Sequence, residues 1–260
     1  MAVNQHIVHT VVLSHCRYRA VRSSSCLIAF LALAGFPFGT LQAVPQSAVA
    51  EYAAQYADTA PLVDGDLSDP AWKKATAAEL TNNLDGSAAG LVTRARVLWN
   101  DDFLFFAFEC EDPEPFATLD RRDQHLWLEE VVEVFLQPVS NPPHYIELEV
   151  NPLATLLDIY LYDVRKPLRY ESWNSFGIQW AVNLVDSVAE GGPGWTCEIA
   201  FPLADAVTAT NLPPRSGDRW RMNLYRIEQK PQQASLAWSP TKRPDFHVPE
   251  AFGWLVFARE

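Results

Sequence analysis

The sequence predicts an all-β fold: an antiparallel β-sandwich of the jelly-roll or immunoglobulin-like kind, forming a single domain after a signal peptide. Three observations carry that prediction. Short apolar runs recur from residue 92 to the C-terminus, each closed by turn-forming residues. No stretch sustains a 3.6-residue period for three turns, so helical crossovers between the strands are not expected. Pro and Gly punctuate the gaps, as in Asn141-Pro-Pro143, Gly191-Gly-Pro-Gly194 and Pro213-Pro-Arg-Ser-Gly217.

The first 43 residues read as a removable leader. Arg17, Arg19 and Arg22 precede the apolar run Cys26–Gly35, and Leu41-Gln-Ala43 ends on a small residue at a plausible cleavage point. The mature chain is therefore expected to be exported, to the periplasm or the medium. No other apolar run approaches the roughly 18 residues of a membrane span. About 215 residues remain, enough for one sizeable core. Residues 44–61 (VPQSAVAEYAAQYADTAP) are small and polar and predict a linker or flexible arm; the domain is expected over 62–260.

The domain opens on VDGDLSDPAW, where Asp-Gly and Asp-Pro mark a turn ahead of a core tryptophan, Trp72. Asp64, Asp66 and Asp69 fall at i, i+2 and i+5, a spacing that suits either turn chemistry or a structural calcium ion. Strands are then expected at 92–99, 103–110, 130–137, 145–151, 156–162, 176–185, 195–201, 219–228, 234–238 and 253–258. Cys16 and Cys26 leave with the leader, and Cys110 and Cys197 remain on predicted strands, open to pairing in an oxidising compartment or to burial as thiols.

The formal net charge of −12 excludes nucleic acid and anionic lipid as natural partners, and it becomes more negative once the leader arginines are lost. A neutral ligand or a cation suits this surface better.

The strand period of two sorts the side chains. In 130–137, Val132, Val134 and Leu136 share one face, and Val131, Glu133 and Phe135 the other. HYIELEVN sets Ile146, Leu148 and Val150 against Tyr145, Glu147 and Glu149. WTCEIAF sets Cys197 and Ile199 against Glu198, and RWRMNLYRIE sets Met222 and Leu224 against Asn223 and Tyr225. One sheet thus has an apolar face and a face of Glu, Tyr, Asn and Arg. That face is either an ordinary wet surface or a set of hydroxyl-binding groups at sugar-ring spacing.

All nine tryptophans follow the leader. Trp72, Trp99, Trp195, Trp220 and Trp254 sit at strand ends and predict core, whereas Trp127, Trp173 and Trp238 lie in polar, loop-like contexts and are candidate stacking platforms. Glu147 and Glu149, roughly 7 Å apart along one strand face, also fit the carboxylate pair of a glycoside hydrolase. A haem reading would draw its axial ligands from Met222 and His125, His144 or His247.

Several ordered blocks resemble one family. DGDLSDPAW, RVLWNDDFLFFAFECEDP, LWLEEVVEVFLQP, HYIELEVNPLATLLD, GWTCEIAFPL, RWRMNLYRIE, AWSPT and FHVPEAFGWLVF are similar to the carbohydrate-binding module family 9-like domains, within the DOMON-like β-sandwich group. The resemblance covers residues 62–258. It implies non-catalytic binding of saccharides such as xylan and cellulose chain ends, with structural calcium in the best-known members. It also implies a sugar ring clamped between two tryptophans. Trp127 and Glu133 fall on one clamping indole and one hydroxyl-binding acid. Where the second indole is expected, the chain reads DFHVPEAFG, with Phe246 or His247 at that place and Trp238 available from the same loop. Arg121, Asn223 and Arg226 are further candidate contacts, beside Glu147 and Glu149. The expectation is thus a saccharide binder requiring no cofactor, acting alone or beside other polysaccharide-degrading proteins, with a glycoside hydrolase and a haem-binding electron carrier as the alternatives.

Overall fold

The computed structural model describes residues 49–163, 168–170, 172–188 and 191–259, with the backbone alone at 168–170. The leader expected at 1–43 lies outside them. Among the described residues the strands are β1 Glu51–Tyr56, β2 Ala78–Glu79, β3 Thr81–Asn82, β4 Thr93–Trp99, β5 Phe103–Glu111, β6 Val131–Gln137, β7 Tyr145–Val150, β8 Leu156–Asp163, β9 Leu168–Tyr170, β10 Gln179–Val185, β11 Gly194–Pro202, β12 Arg219–Glu228, β13 Ala234–Ala237 and β14 Gly253–Ala258. No helix among them is long and apolar enough to cross a membrane.

The strands form one continuous sheet in the order β10-β11-β5-β4-β1-β14-β12-β6-β7-β8-β9, with β2 added to β4 and β13 joining β12 to β3. Side chains from both ends of this path meet in a single core. Phe106 and Phe108 of β5 and Ile199 of β11 share it with Val132, Val134 and Leu136 of β6, Ile146 and Leu148 of β7, and Met222 and Leu224 of β12. The sheet therefore curls over onto itself and buries the apolar parity that the sequence assigns to each strand.

Two expectations need correction. The sheet is mixed, because β1 runs parallel to both its neighbours, β14 and β4. The segment expected to be an arm thus contributes an interior strand. Tyr52 and Ala54 point inward and alternate with exposed Glu51 and Ala53, so the period of two is present, but carried largely by alanines too small to register as a hydrophobic alternation. Tyr52 further fixes β1 by donating to Thr76 O (2.6 Å) and accepting from Val97 N–H (2.9 Å). Cys110 and Cys197 are both buried free thiols. Cys110 lies opposite Trp195 and Cys197 opposite Phe108, so the two are diagonal rather than facing each other. Burial pushes the Cys110 thiol up to about 12.

Both outer faces are covered by loops. Over β5 and β11 lies the opening segment, where Trp72 packs against Phe105, Ala107 and Ala200. Beneath it Glu198 accepts hydrogen bonds from Trp72 Nε1 (2.7 Å), Gly65 N (2.8 Å) and Asp64 N (3.0 Å), an approach that Gly65 permits at φ 83°. Glu198 is thereby separated from the other strand acids and tied to the fold. The loop aspartates serve local backbone N–H groups: Asp64 that of Asp66, Asp66 that of Ser68, and Asp69 those of Ala71 and Leu62. These bonds are those of turn and cap chemistry.

Candidate functional site

The outer face of β6, β7 and β12 is not a wet surface. Leu126 and Phe252 descend on it from two loops and form a second apolar cluster with Val131, Phe135, Tyr145, Leu157 and Tyr225. Consequently Glu133, Glu147, Glu149 and Asn223 are all buried.

Between the two loops a cavity of about 560 Å³ remains open. Its floor is Glu133 and Phe135 of β6 with Glu147 of β7. Trp127 comes from the first loop, Asp245, Phe246 and His247 from the second, and Asn82, Gln229 and Gln233 are among the residues at the rim. No lysine or arginine is among the described lining residues.

The first wall is built on a single 3-10 turn, Leu126–Leu128, that drives Leu126 into the apolar cluster and leaves Trp127 half-buried. His125 stacks on Trp127 with ring centroids 4.3 Å apart. The loop is pinned at several points: Thr118 N and Leu119 N donate to Glu129 Oε2, Asn151 Nδ2 donates to Leu119 O (2.7 Å), and Arg122 Nη2 pairs with Asp158 (2.8 Å).

The second wall hangs from Asn223 and Asn83. Asn223 accepts from Ser239 N (3.0 Å) and donates to Ser239 O (2.8 Å) and Tyr225 Oη (2.7 Å). Asn83 accepts from Thr241 N (2.9 Å) and donates to Arg243 O (2.8 Å). Tyr225 then donates to Phe246 O (3.0 Å) and stacks on the Phe246 ring at 4.1 Å. Burial, and next the charge of Glu133, push the Tyr225 hydroxyl well above its ordinary range, so it remains a donor. Each wall aromatic is backed by another ring, Trp127 by His125 and Phe246 by Tyr225. These bonds preform the site without a ligand.

The ladder places the acids. Glu133 lies directly opposite Glu149, and Glu147 opposite Phe135, across β6 and β7. The Glu149 carboxyl is held well above the usual range, first by complete burial and then by its neighbours Glu133 and Glu147. Glu147 Oε2 is 4.0 Å from His247 Nδ1, which itself lies 2.6 Å from the Tyr145 hydroxyl.

Of the residues singled out in the sequence, Trp127, Glu133, Glu147, Phe246 and His247 line this one cavity, and Glu149 lies beneath its floor. Four do not line it. Arg121 is exposed on the loop. Asn223 spends its amide on the second loop, as above. Arg226 projects to the opposite face and is wholly buried with Asp112 and Glu228, its Nη2 3.3 Å from Asp112 Oδ2. Trp238 continues the β13 ladder by one residue, donating from its N–H to Leu224 O (2.9 Å). The period of two thus turns its indole inward with Leu236, against Tyr52. Trp173 likewise packs at the core margin beside Tyr160. Met222 is in the main core and Glu149 has no exposed surface. The first removes the methionine from a haem site on this face, and the second removes one acid of the Glu147/Glu149 hydrolase pair from contact with a substrate. Asn82, Asn83, Gln229, Gln233 and Asp245 were not foreseen; the amide-rich runs Asn82-Asn83 and Gln229–Gln233 are the only signals that could have marked them.

Residues 63–259 match the family described as Carbohydrate family 9 binding domain-like. The chain belongs to this family. Among solved structures it is similar to a candidate carbohydrate-binding protein from Bacteroides uniformis ATCC 8492 (TM-score 0.67, 18% identity, covering 81% of this chain and 100% of that one). It is also similar to a carbohydrate binding module family 9 protein from Caldicellulosiruptor kristjanssonii, in complex with cellotriose (TM-score 0.60, 12% identity, 81% and 94% covered) and with glucose (0.59, 13%, 81% and 96%). At these identities the likeness establishes the fold. No protein of curated function matches the chain.

Proposed function

We propose that the cavity of this family 9-like domain binds a neutral saccharide without chemical turnover. The observation that carries the reading is the joint placement of Trp127, Phe246, Glu133 and Glu147 around one preformed cavity. The rings offer stacking faces to a pyranose, and the acids and rim amides offer hydroxyl partners. A β-linked glucan or xylan oligosaccharide is the proposed class, in keeping with the cellotriose and glucose held by the structurally similar Caldicellulosiruptor module. The leader supports export, where such a domain would act alone or beside polysaccharide-degrading proteins.

Stacking and a few charge-assisted hydroxyl bonds, set against the association cost, place the dissociation constant at roughly 1 μM to 1 mM. Tryptophan fluorescence titrated with glucose, cellobiose, xylobiose and their alditols tests this. A saturable change is expected with the sugars, and its loss with the alditols would locate the ligand at a reducing end. Silence across the panel in the folded protein overturns the reading, and release of reducing sugar from a polysaccharide would replace it with an enzymatic one.

A further inference from the structure

Further along the same outer face, the sheet carries a second row of side chains that the first cavity does not use. Gln137 of β6 stands opposite Arg221 of β12, and Arg221 stands opposite Trp254 of β14. The three are therefore cross-strand neighbours on the face that also carries Glu133 and Asn223. They line a cavity of about 350 Å³, closed on one side by Pro249 and Glu250 of the turn before β14. It shares no lining residue with the first cavity. Phe135, which lies between Glu133 and Gln137 on this face, is covered by Phe252 with ring centroids 5.9 Å apart.

Gln137 is 3% exposed and lines this second cavity, yet its side-chain amide has no hydrogen-bond partner among the described residues. A buried amide left unpaired is costly, which points to a ligand that both donates and accepts. Beside it the Arg221 guanidinium is already oriented: Nη2 donates to Glu250 O (2.9 Å) and Pro249 O (3.2 Å), and the group lies 4.6 Å from the Trp254 ring centroid. It makes no ion pair among the described residues, so its Nε–H and Nη1–H donors are unspent.

We propose that Gln137, Arg221 and Trp254 form a second saccharide site that takes one neutral sugar unit independently of the first cavity. Sugar hydroxyls donate and accept, as the amide requires, and the guanidinium adds charge-assisted donors. The indole supplies an apolar wall for the C–H groups of a ring. The carboxylates of Asp163 and Glu250 on the same lining weigh against an anion. A volume near the lower end of ligand cavities, about 300 Å³, suits one ring and not a chain. The ligand class rests on the chemistry of this row and not on the reading of the first cavity.

The test is a nitrogen–proton correlation NMR titration of the full chain with glucose, cellobiose and xylobiose to roughly 50 mM, the reach of a weak site. The Trp254 indole and Gln137 side-chain amide signals report this site, and the Trp127 indole reports the first cavity. Saturable shifts are expected at Trp254 and Gln137 and should persist in Trp127→Ala. In Gln137→Met, which keeps the side chain's bulk, the affinity read at Trp254 should fall at least about fivefold. Arg221→Gln serves in its place should that variant not fold by circular dichroism. No saturable shift at Trp254 and Gln137, a shift that disappears with Trp127→Ala, or one that Gln137→Met leaves intact overturns the proposal. So does a response to sodium acetate at matched ionic strength without one to the sugars, which would make the row an anion site. Shifts at Trp127 alone sink only the second site, and shifts at Trp254 and Gln137 alone sink only the reading of the first.

Discussion

The Trp238 indole occupies the space that a side chain on Gly253 would need: a Cβ there would meet Trp238 Cζ3 and Cη2 closer than carbon atoms approach, with Ala50 O 2.8 Å away. The two residues act as one packed unit joining β13 to β14. Gly253→Ala should therefore cost about 1–3 kcal/mol, as overpacked sites do, read as a lowered urea midpoint with an unchanged slope. Trp238→Ala should destabilise on the order of 2–3 kcal/mol while leaving the saccharide dissociation constant within about twofold at temperatures where the domain is folded.

Trp127 carries the opposite expectation. It lies at the cavity wall and contributes little to the main core. Trp127→Ala should weaken saccharide binding at least about tenfold, equivalent to roughly 1.4 kcal/mol, with a thermal midpoint close to that of the wild type. An unchanged titration would remove this residue from the site. Phe246→Leu, which loses the flat ring but keeps its apolar bulk, should weaken binding in the same direction.

The acid cluster around Arg226 sets a pH dependence. Burial, resisted by Arg226, pushes Glu228 up to about 8 and Asp112 up to about 6. Both groups therefore bind protons more tightly in the folded chain than in the unfolded one, so their contribution to stability is greatest below the ordinary carboxylate range and is lost as pH rises through about 8. The thermal midpoint should fall between pH 5 and pH 9. Arg226→Met should cost about 3–5 kcal/mol near pH 8 by leaving these acids without their cation, and measurably less near pH 5. Equal losses at the two pH values would contradict this account.

Asn223 offers a fourth check. Asn223→Leu keeps the volume but removes the bonds to Ser239 and Tyr225. The second loop should then exchange its amide hydrogens faster, and saccharide affinity should fall although Asn223 lines no part of the cavity.

The sequence made the strand parities legible because each of β6, β7, β11 and β12 alternates large apolar residues with polar ones, and the core accepts that alternation unchanged. The resemblance of the block LWLEEVVE to the family also drew attention to Trp127 and Glu133. What the sequence hid was non-local. That Glu147 faces a cavity while Glu149 is sealed beneath it depends on two covering loops remote in the chain. That Arg226 departs from the polar face follows from its parity with Leu224, but its partners, the buried Asp112, Glu228 and Thr93 and the half-buried Glu111 carbonyl, lie on three different strands or their ends. Trp238 reads as exposed because Ser239, Pro240 and Thr241 after it form a loop-like, largely polar run, yet Ser239 and Thr241 are consumed in holding the loop.

The placement of β1 has a practical corollary. Among the described residues the hydrogen-bonded path from β4 to β14 runs through residues 51–56, which lie upstream of the 63–259 stretch shared with the family. A fragment trimmed to that shared stretch would expose two long unpaired strand borders on either side of a seam. Such borders recruit whatever strand is nearest, so the trimmed protein should self-associate, and a synthetic peptide spanning residues 49–57 should reverse that association by taking the missing place.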